Sequence, residues 1–197
     1  MMVIIDNGHG SNTKGKQSPD GRLLEYRWCR EVAMLLHTEL KARGIEAHIL
    51  VPENTDVPLK ERTRRVNQIC TIKGTANCVL VSIHNNAAGG DGKWHDATGW
   101  SGWIAPNASD KSKRLAQLLY VEAIKANLQG NRCVPASKCW TGNFAIVRDT
   151  KCPAVLTENL FQDNKAEVDY LLTDEGKRTI VKLHVNALIN YISEYGK

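Results

Sequence analysis

Four short stretches of this 197-residue chain carry side chains able to do chemistry: Asp6 to Gly10 (Asp-Asn-Gly-His-Gly), Glu25, Ser82 to Asn86 (Ser-Ile-His-Asn-Asn), and Thr157 to Phe161 (Thr-Glu-Asn-Leu-Phe). Between them they offer two imidazoles and two carboxylates. A hydrolytic zinc site needs three nitrogen or oxygen ligands, one position left open for water, and a separate base. His9, Glu25 and His84 form such a His2Glu set. Glu158 is then left over as the base that takes a proton from water and returns it to a leaving amine. One zinc ion is the expectation from ligand type, although imidazole and carboxylate also hold other divalent ions.

Taken one at a time, these residues have plain readings. A histidine in a Gly-rich loop is ordinarily a surface residue, and Glu25 reads as a first-turn helix carboxylate favoured by the helix dipole. Glu158 reads as a rim carboxylate paired with Arg148. Their common position is what favours chemistry. Val3 to Asp6, Val79 to Ile83 and Ala154 to Thr157 read as strands buried on both faces, and helical segments alternate with them, so the sheet is expected to be mostly parallel. In such sheets ligands gather outside the carboxyl ends of the strands. His9, His84 and Glu158 each follow or close one of these strands. Glu25 opens the helix after the first.

The remaining elements follow from spacing. Val32, Leu35, Leu36 and Leu40 place a helix from about Leu24 to Arg43, stopped by Gly44, and Ile45 to Val51 reads as the second strand. Leu59 to Cys70 reads as a basic helix. Gly99 to Ala105 and Phe144 to Arg148 read as further strands, Ser109 to Leu128 as an amphipathic helix, and Asn164 to Ser193 as one helix or two. Two loops, Ala87 to Thr98 and Gln129 to Asn143, are long enough to be functional. His95, beside Trp94 in the first of them, reads as a substrate contact before a ligand. His37 falls off an apolar stripe, His48 lies in a short strand, and His184 keeps the spacing of a satisfied boundary histidine.

Length and composition bound the rest. The chain suits a single domain, residues 1–197, with no repeat or linker. Its 42% hydrophobic and 24% charged content is that of an ordinary globular protein, and its apolar runs are far too short to span a bilayer. A net charge of +5 suits an anionic surface. The one dense basic cluster, Lys60 to Arg65, reads as a solvated helix face, so nucleic acid is not expected as a partner. None of the six cysteines falls at CxxC spacing, which argues against a Cys-type zinc site. Free thiols are expected over a Cys133–Cys139 bridge. The N-terminus enters a strand at once with no leader pattern, which suggests a protein cytoplasmic as made and acting after release, or one whose leader was trimmed.

The segments from Val3 to Ser11, Leu59 to Arg62 with Asn67, Ser82 to Ala87, and Pro153 to Phe161 with Asn164 resemble, in order, the zinc-dependent N-acetylmuramoyl-L-alanine amidases of the amidase_3 family. That resemblance implies an α/β fold with a twisted, mostly parallel sheet of about six strands and helices on both faces. It implies hydrolysis of the amide between the lactyl group of N-acetylmuramic acid and L-alanine in peptidoglycan, with His9, Glu25 and His84 on zinc and Glu158 as catalytic glutamate. Asn86 would lie beside the metal as a substrate contact. Arg62, Asn67 and Asn164 would brace the rim.

Asn7 departs from the proline usual before Gly-His in that family. Residues Ala88 to Thr98 and Gln129 to Trp140 are particular to this chain, where Trp94, Trp100, Trp103 and Trp140 offer flat faces for sugar or peptide. With Asn86, His95 and Trp94, Arg148 completes the expected substrate contacts. No acidic helix able to plug the site is visible. The reading is a monomeric peptidoglycan amidase, such as a phage or prophage lysin. The alternatives are a zinc amidase or carboxypeptidase acting on another peptide, and a catalytically dead wall-binding module.

Overall fold

The computed structural model describes residues 1–196. Six strands form one sheet: β1 Met2–Asn7, β2 Ala47–Ile49, β3 Cys78–Asn86, β4 Ser101–Ile104, β5 Trp140–Thr141 and β6 Ala154–Phe161. Their spatial order is β2-β1-β3-β6-β4-β5. All neighbours run parallel except β4 against β6. Six helices connect them: α1 Glu25–Ala42, α2 Leu59–Lys73, α3 Asp110–Lys125, α4 Ala145–Arg148, α5 Lys165–Leu171 and α6 Asp174–Tyr195. The expected mostly parallel α/β sheet is therefore the observed one.

Strand alternation divides the sheet into two unlike faces. Val3, Ile5, Val79, Val81, Ile83 and Val155 point to one side and meet apolar residues of α1, α3, α5 and α6 in the larger core. Ile4, Leu80, Ala154 and Leu156 point to the other and meet α2 and α4 in a smaller one. On α1 the inward set Trp28, Cys29, Val32, Ala33, Leu36 and Leu40 keeps the period of a helix lying on a sheet. Gly44, at φ 73°, ends that helix in the left-handed region, where a side chain is unwelcome. The side chains of Ser109, Asn164 and Thr173 accept from backbone amides at the starts of α3, α5 and α6.

The segment from Phe144 to Arg148, expected as a strand, is the short helix α4 instead. A run this short, apolar from Phe144 to Val147, fits either period. The sheet edge is taken by Trp140 and Thr141, which pair with Trp103 and Ile104, while Ile146 and Val147 turn into the smaller core. Only three residues of the expected second strand pair with β1. All six cysteines are free thiols. Among the described residues no helix is long and apolar enough to cross a membrane.

Candidate active site

Along the α2 face of the sheet the side chains change character from the strands' beginnings to their ends. Ile4 is followed by Asp6, Leu80 by Ser82 and His84, and Ala154 by Leu156 and Glu158. In the parallel ladder His84 is the register partner of Glu158, and Ser82 that of Asp6 and of Leu156. Facing partners in a parallel pair project to the same side, so Glu158 and His84 stand next to one another at the carboxyl rim.

Two glycines flank His9, one making room for the His84 ring and the other for the backbone at Asp56. A Cβ on Gly8 would lie 2.5 Å from the ring of His84, and one on Gly10 would lie 1.9 Å from the backbone of Asp56. Between them His9 adopts φ 57°, a conformation costly for a side-chain-bearing residue. Its carbonyl accepts from Arg62 Nη2 (3.0 Å) and Arg30 Nη2 (3.1 Å), which fix the turn. The His9 and His84 rings meet edge to face with centroids 4.8 Å apart.

Glu25 enters from the start of α1 and is fully buried. Its Oε1 lies 3.3 Å from His9 Nε2 and 3.1 Å from His84 Nδ1, and accepts from the Asn85 amide at 3.0 Å. Its Oε2 is shielded and has no partner. One donor atom from each of His9, Glu25 and His84 falls within 4.8 Å of the other two. Burial works to raise the Glu25 carboxyl, yet hydrogen bonds from His84 and His9 hold it well below the usual range. At His84 burial pushes downward, and the pull of Glu25 more than offsets it. An anionic carboxylate with an orphaned oxygen, facing two imidazole nitrogens, is a donor set suited to a divalent cation.

Glu158 opens on the same cavity of about 410 Å³, whose wall also includes His9, His84, Lys16, Arg62 and Phe144. Its Oε2 is shielded without a partner. Burial pushes its carboxyl up to about 7, against the opposing charges of His84, Lys16 and Arg132. Beneath the rim Asp6 Oδ2 accepts from the Ser82 hydroxyl, and Asp6 Oδ1 from Arg62 Nη1 at 2.7 Å. Arg62 also donates to the Val57, Asn7 and His9 carbonyls, so it clamps the β1 turn from α2. Within the basic cluster it is the arginine that turns inward; Arg64 and Arg65 pair with Glu61 and Glu53 outside.

The other expected contact residues have partners of their own. Arg148 pairs with Asp149, donates to Asn143, and lines a separate cavity at the opposite end of the strands. It makes no pair with Glu158 because α4 carries it away from the rim. Asn86 accepts from the Ala87 amide through its own Oδ1. His95 contacts Asp91, and its carbonyl is held by Asn164. Trp94 is 37% exposed on the same loop. Asn67 braces Asp149 and Lys151, away from the rim. Asn7, in place of proline, donates to the Val51 carbonyl and so ties the strand end by a hydrogen bond. Trp100 and Trp140 are buried and offer no face to a sugar. Arg30, Lys16, Phe144 and the Asn85 amide were not singled out in the sequence, since nothing in their spacing marks them.

The family model described as N-acetylmuramoyl-L-alanine amidase, Amidase_3, matches residues 3–190. The chain belongs to the Amidase_3 family. An N-acetylmuramoyl-L-alanine amidase of Clostridium difficile 630, solved by crystallography, superposes with a TM-score of 0.82 at 27% identity, covering 99% of this chain and 98% of the other. The N-acetylmuramoyl-L-alanine amidase CwlM of Bacillus licheniformis is 29% identical over 95% of this chain and 67% of its own length. An endolysin of Bacillus phage SPP1 is 24% identical over 98% of this chain and 66% of its own length. The chain thus spans about two thirds of the length of the Bacillus licheniformis and phage relatives.

Proposed function

We propose that this chain is a zinc-dependent N-acetylmuramoyl-L-alanine amidase that hydrolyses the bond between the lactyl group of N-acetylmuramic acid and L-alanine in peptidoglycan. The observation that carries the reading is the convergence of His9, Glu25 and His84 within 4.8 Å, with Glu158 on the same cavity wall. His9, Glu25 and His84 would hold one zinc ion. When bound, the ion supplies a Lewis acid that polarises the amide carbonyl and makes water more acidic.

The rest falls to the chain's own residues. Glu158, on the cavity wall, takes a proton from the attacking water and delivers it to the departing L-alanine nitrogen. Glu25, anchored by the Asn85 amide, keeps both imidazoles turned toward one point. Arg62 and Arg30 hold the His9 backbone in its strained turn, so the first ligand arrives already oriented. All four functional side chains come from one chain.

Glu158→Gln tests the assignment. The variant should keep its metal and lose about 10²- to 10⁴-fold of its rate, the usual contribution of a positioned base. Metal analysis and a wall digest scored for newly freed L-alanine amines measure the two halves. A variant that digests wall at the native rate would overturn the base, and digestion without free L-alanine amines would point to another peptide bond.

A further inference from the structure

Arg132 lies in the loop between α3 and β5. Its guanidinium carbon sits 5.6 Å from the ring centroid of Phe161, 5.8 Å from that of Trp140 and 5.9 Å from that of Trp103. Rings at such distances steady a cation without satisfying its N–H donors. Arg132 Nη1 is shielded and donates to no acceptor among the described residues. Arg22, Arg62, Arg65, Arg114 and Arg148, by contrast, each pair with a carboxylate. An arginine held among rings and left without an anion calls for an explanation.

Its position is fixed by the neighbouring residue. Asn131 accepts from the Thr98 amide through Oδ1, donates to the Asp96 carbonyl through Nδ2, and donates its own amide to the Thr98 hydroxyl. These bonds tie the loop to the other long rim loop. The aromatic box also continues into the catalytic cavity: Trp103 meets Phe144 edge to face at 5.6 Å, and Phe144 lines the cavity with His9, His84 and Glu158. Phe161, one wall of the box, lies three residues beyond Glu158 on β6.

We infer that Arg132 is a specificity-determining residue that binds a carboxylate of the acidic stem peptide, a role that rests on the amidase reading above. A guanidinium offers a forked pair of donors suited to a carboxylate, and a ring-walled setting strengthens that contact relative to water. Substrate with free carboxylates is thereby favoured over substrate in which they are amidated. The preference is expected in KM more than in kcat, because the group acts on binding and takes no proton.

Two soluble probes decide the matter: N-acetylmuramoyl-L-alanyl-D-glutamate, and the same molecule with both carboxyl groups converted to carboxamides. The native enzyme should favour the diacid by tenfold or more in kcat/KM. Arg132→Met should abolish that preference by raising KM for the diacid alone, and Arg132→Lys should restore part of it. Equal losses on both probes with a lowered melting temperature would mean that the arginine only supports the loop. No preference in the native enzyme would also overturn the assignment. Calorimetric binding of both probes to Glu158→Gln separates this inference from the amidase reading. Arg132-dependent diacid binding without any cleavage by the native enzyme would keep the anion site and discard the amidase. Binding that ignores Arg132 would discard the anion site.

Discussion

His84 and His184 are both enclosed by the same sheet, on its opposite faces, and they are solved in opposite ways. His184, on α6, has no exposed surface; Nδ1 lies 2.8 Å from the Ile180 carbonyl and Nε2 3.1 Å from the Thr157 hydroxyl. Both ring nitrogens are served by neutral groups, which suits a neutral imidazole with its proton on Nδ1. His84 instead faces a buried carboxylate whose second oxygen has no partner. A buried imidazole with neutral partners is a packing element. One set against an anion and a second imidazole is a place for added positive charge.

The largest expected contrast comes from removing each ring. His84→Ala should abolish stoichiometric zinc binding and wall digestion together, with the fold retained by circular dichroism. His184→Leu should leave zinc binding and digestion near native, because the Ile180 carbonyl keeps its helical role and the Thr157 hydroxyl can donate to the Ser82 carbonyl. Undiminished zinc in His84→Ala, or zinc loss in His184→Leu, would erase the distinction between the faces.

That distinction was partly legible in the sequence. His9, His84 and Glu158 could be found because each closes an apolar run, and strand ends in a parallel sheet share a rim. Glu25 followed from the helix after β1. The lone spacing of His184 suggested a boundary position, and the structure places it deeper, because Thr157 offers a partner inside the sheet. Arg62 looked like its solvated neighbours by composition alone; only the family resemblance marked it, since the side chain's inward turn depends on where Asp6 lies in space. The tryptophans misled for a similar reason: Trp100 spends its indole on Asn159 in the interior. Arg132 sits in a loop without periodicity, and its three rings come from separate strands.

A smaller effect is expected from the polar layer that separates the catalytic rim from the apolar floor on the α2 side. Arg62 and Asp6 form a buried pair, with side chains 3% and 2% exposed. Arg62→Met would leave Asp6 without its guanidinium partner and release the carbonyls of Asn7 and His9. Removing one member of a buried pair costs about 3–5 kcal/mol. Urea unfolding should register that loss, and zinc affinity should weaken with it, since the His9 turn loses a clamp. The dry face offers no such coupling between stability and metal. A variant equally destabilised there, Leu119→Ala, should keep its zinc affinity under native conditions.

The smallest expected effect is one of pH on the α6 face. Burial pushes His184 down to about 4 from an ordinary 6.5. As pH falls, the unfolded chain therefore takes up this proton before the folded one does, and the folded state loses ground between those two values. Above about pH 6.5 the residue is neutral in both states and contributes no slope. By pH 5 the linkage amounts to roughly 2 kcal/mol. Urea unfolding of the native protein and of His184→Leu at pH 7 and pH 5 isolates the contribution. The native protein should lose more stability between the two than the variant, by about that amount. Equal losses would mean that the ring takes up its proton at the same pH in the fold as in the unfolded chain, and the contrast with His84 would then rest on geometry alone.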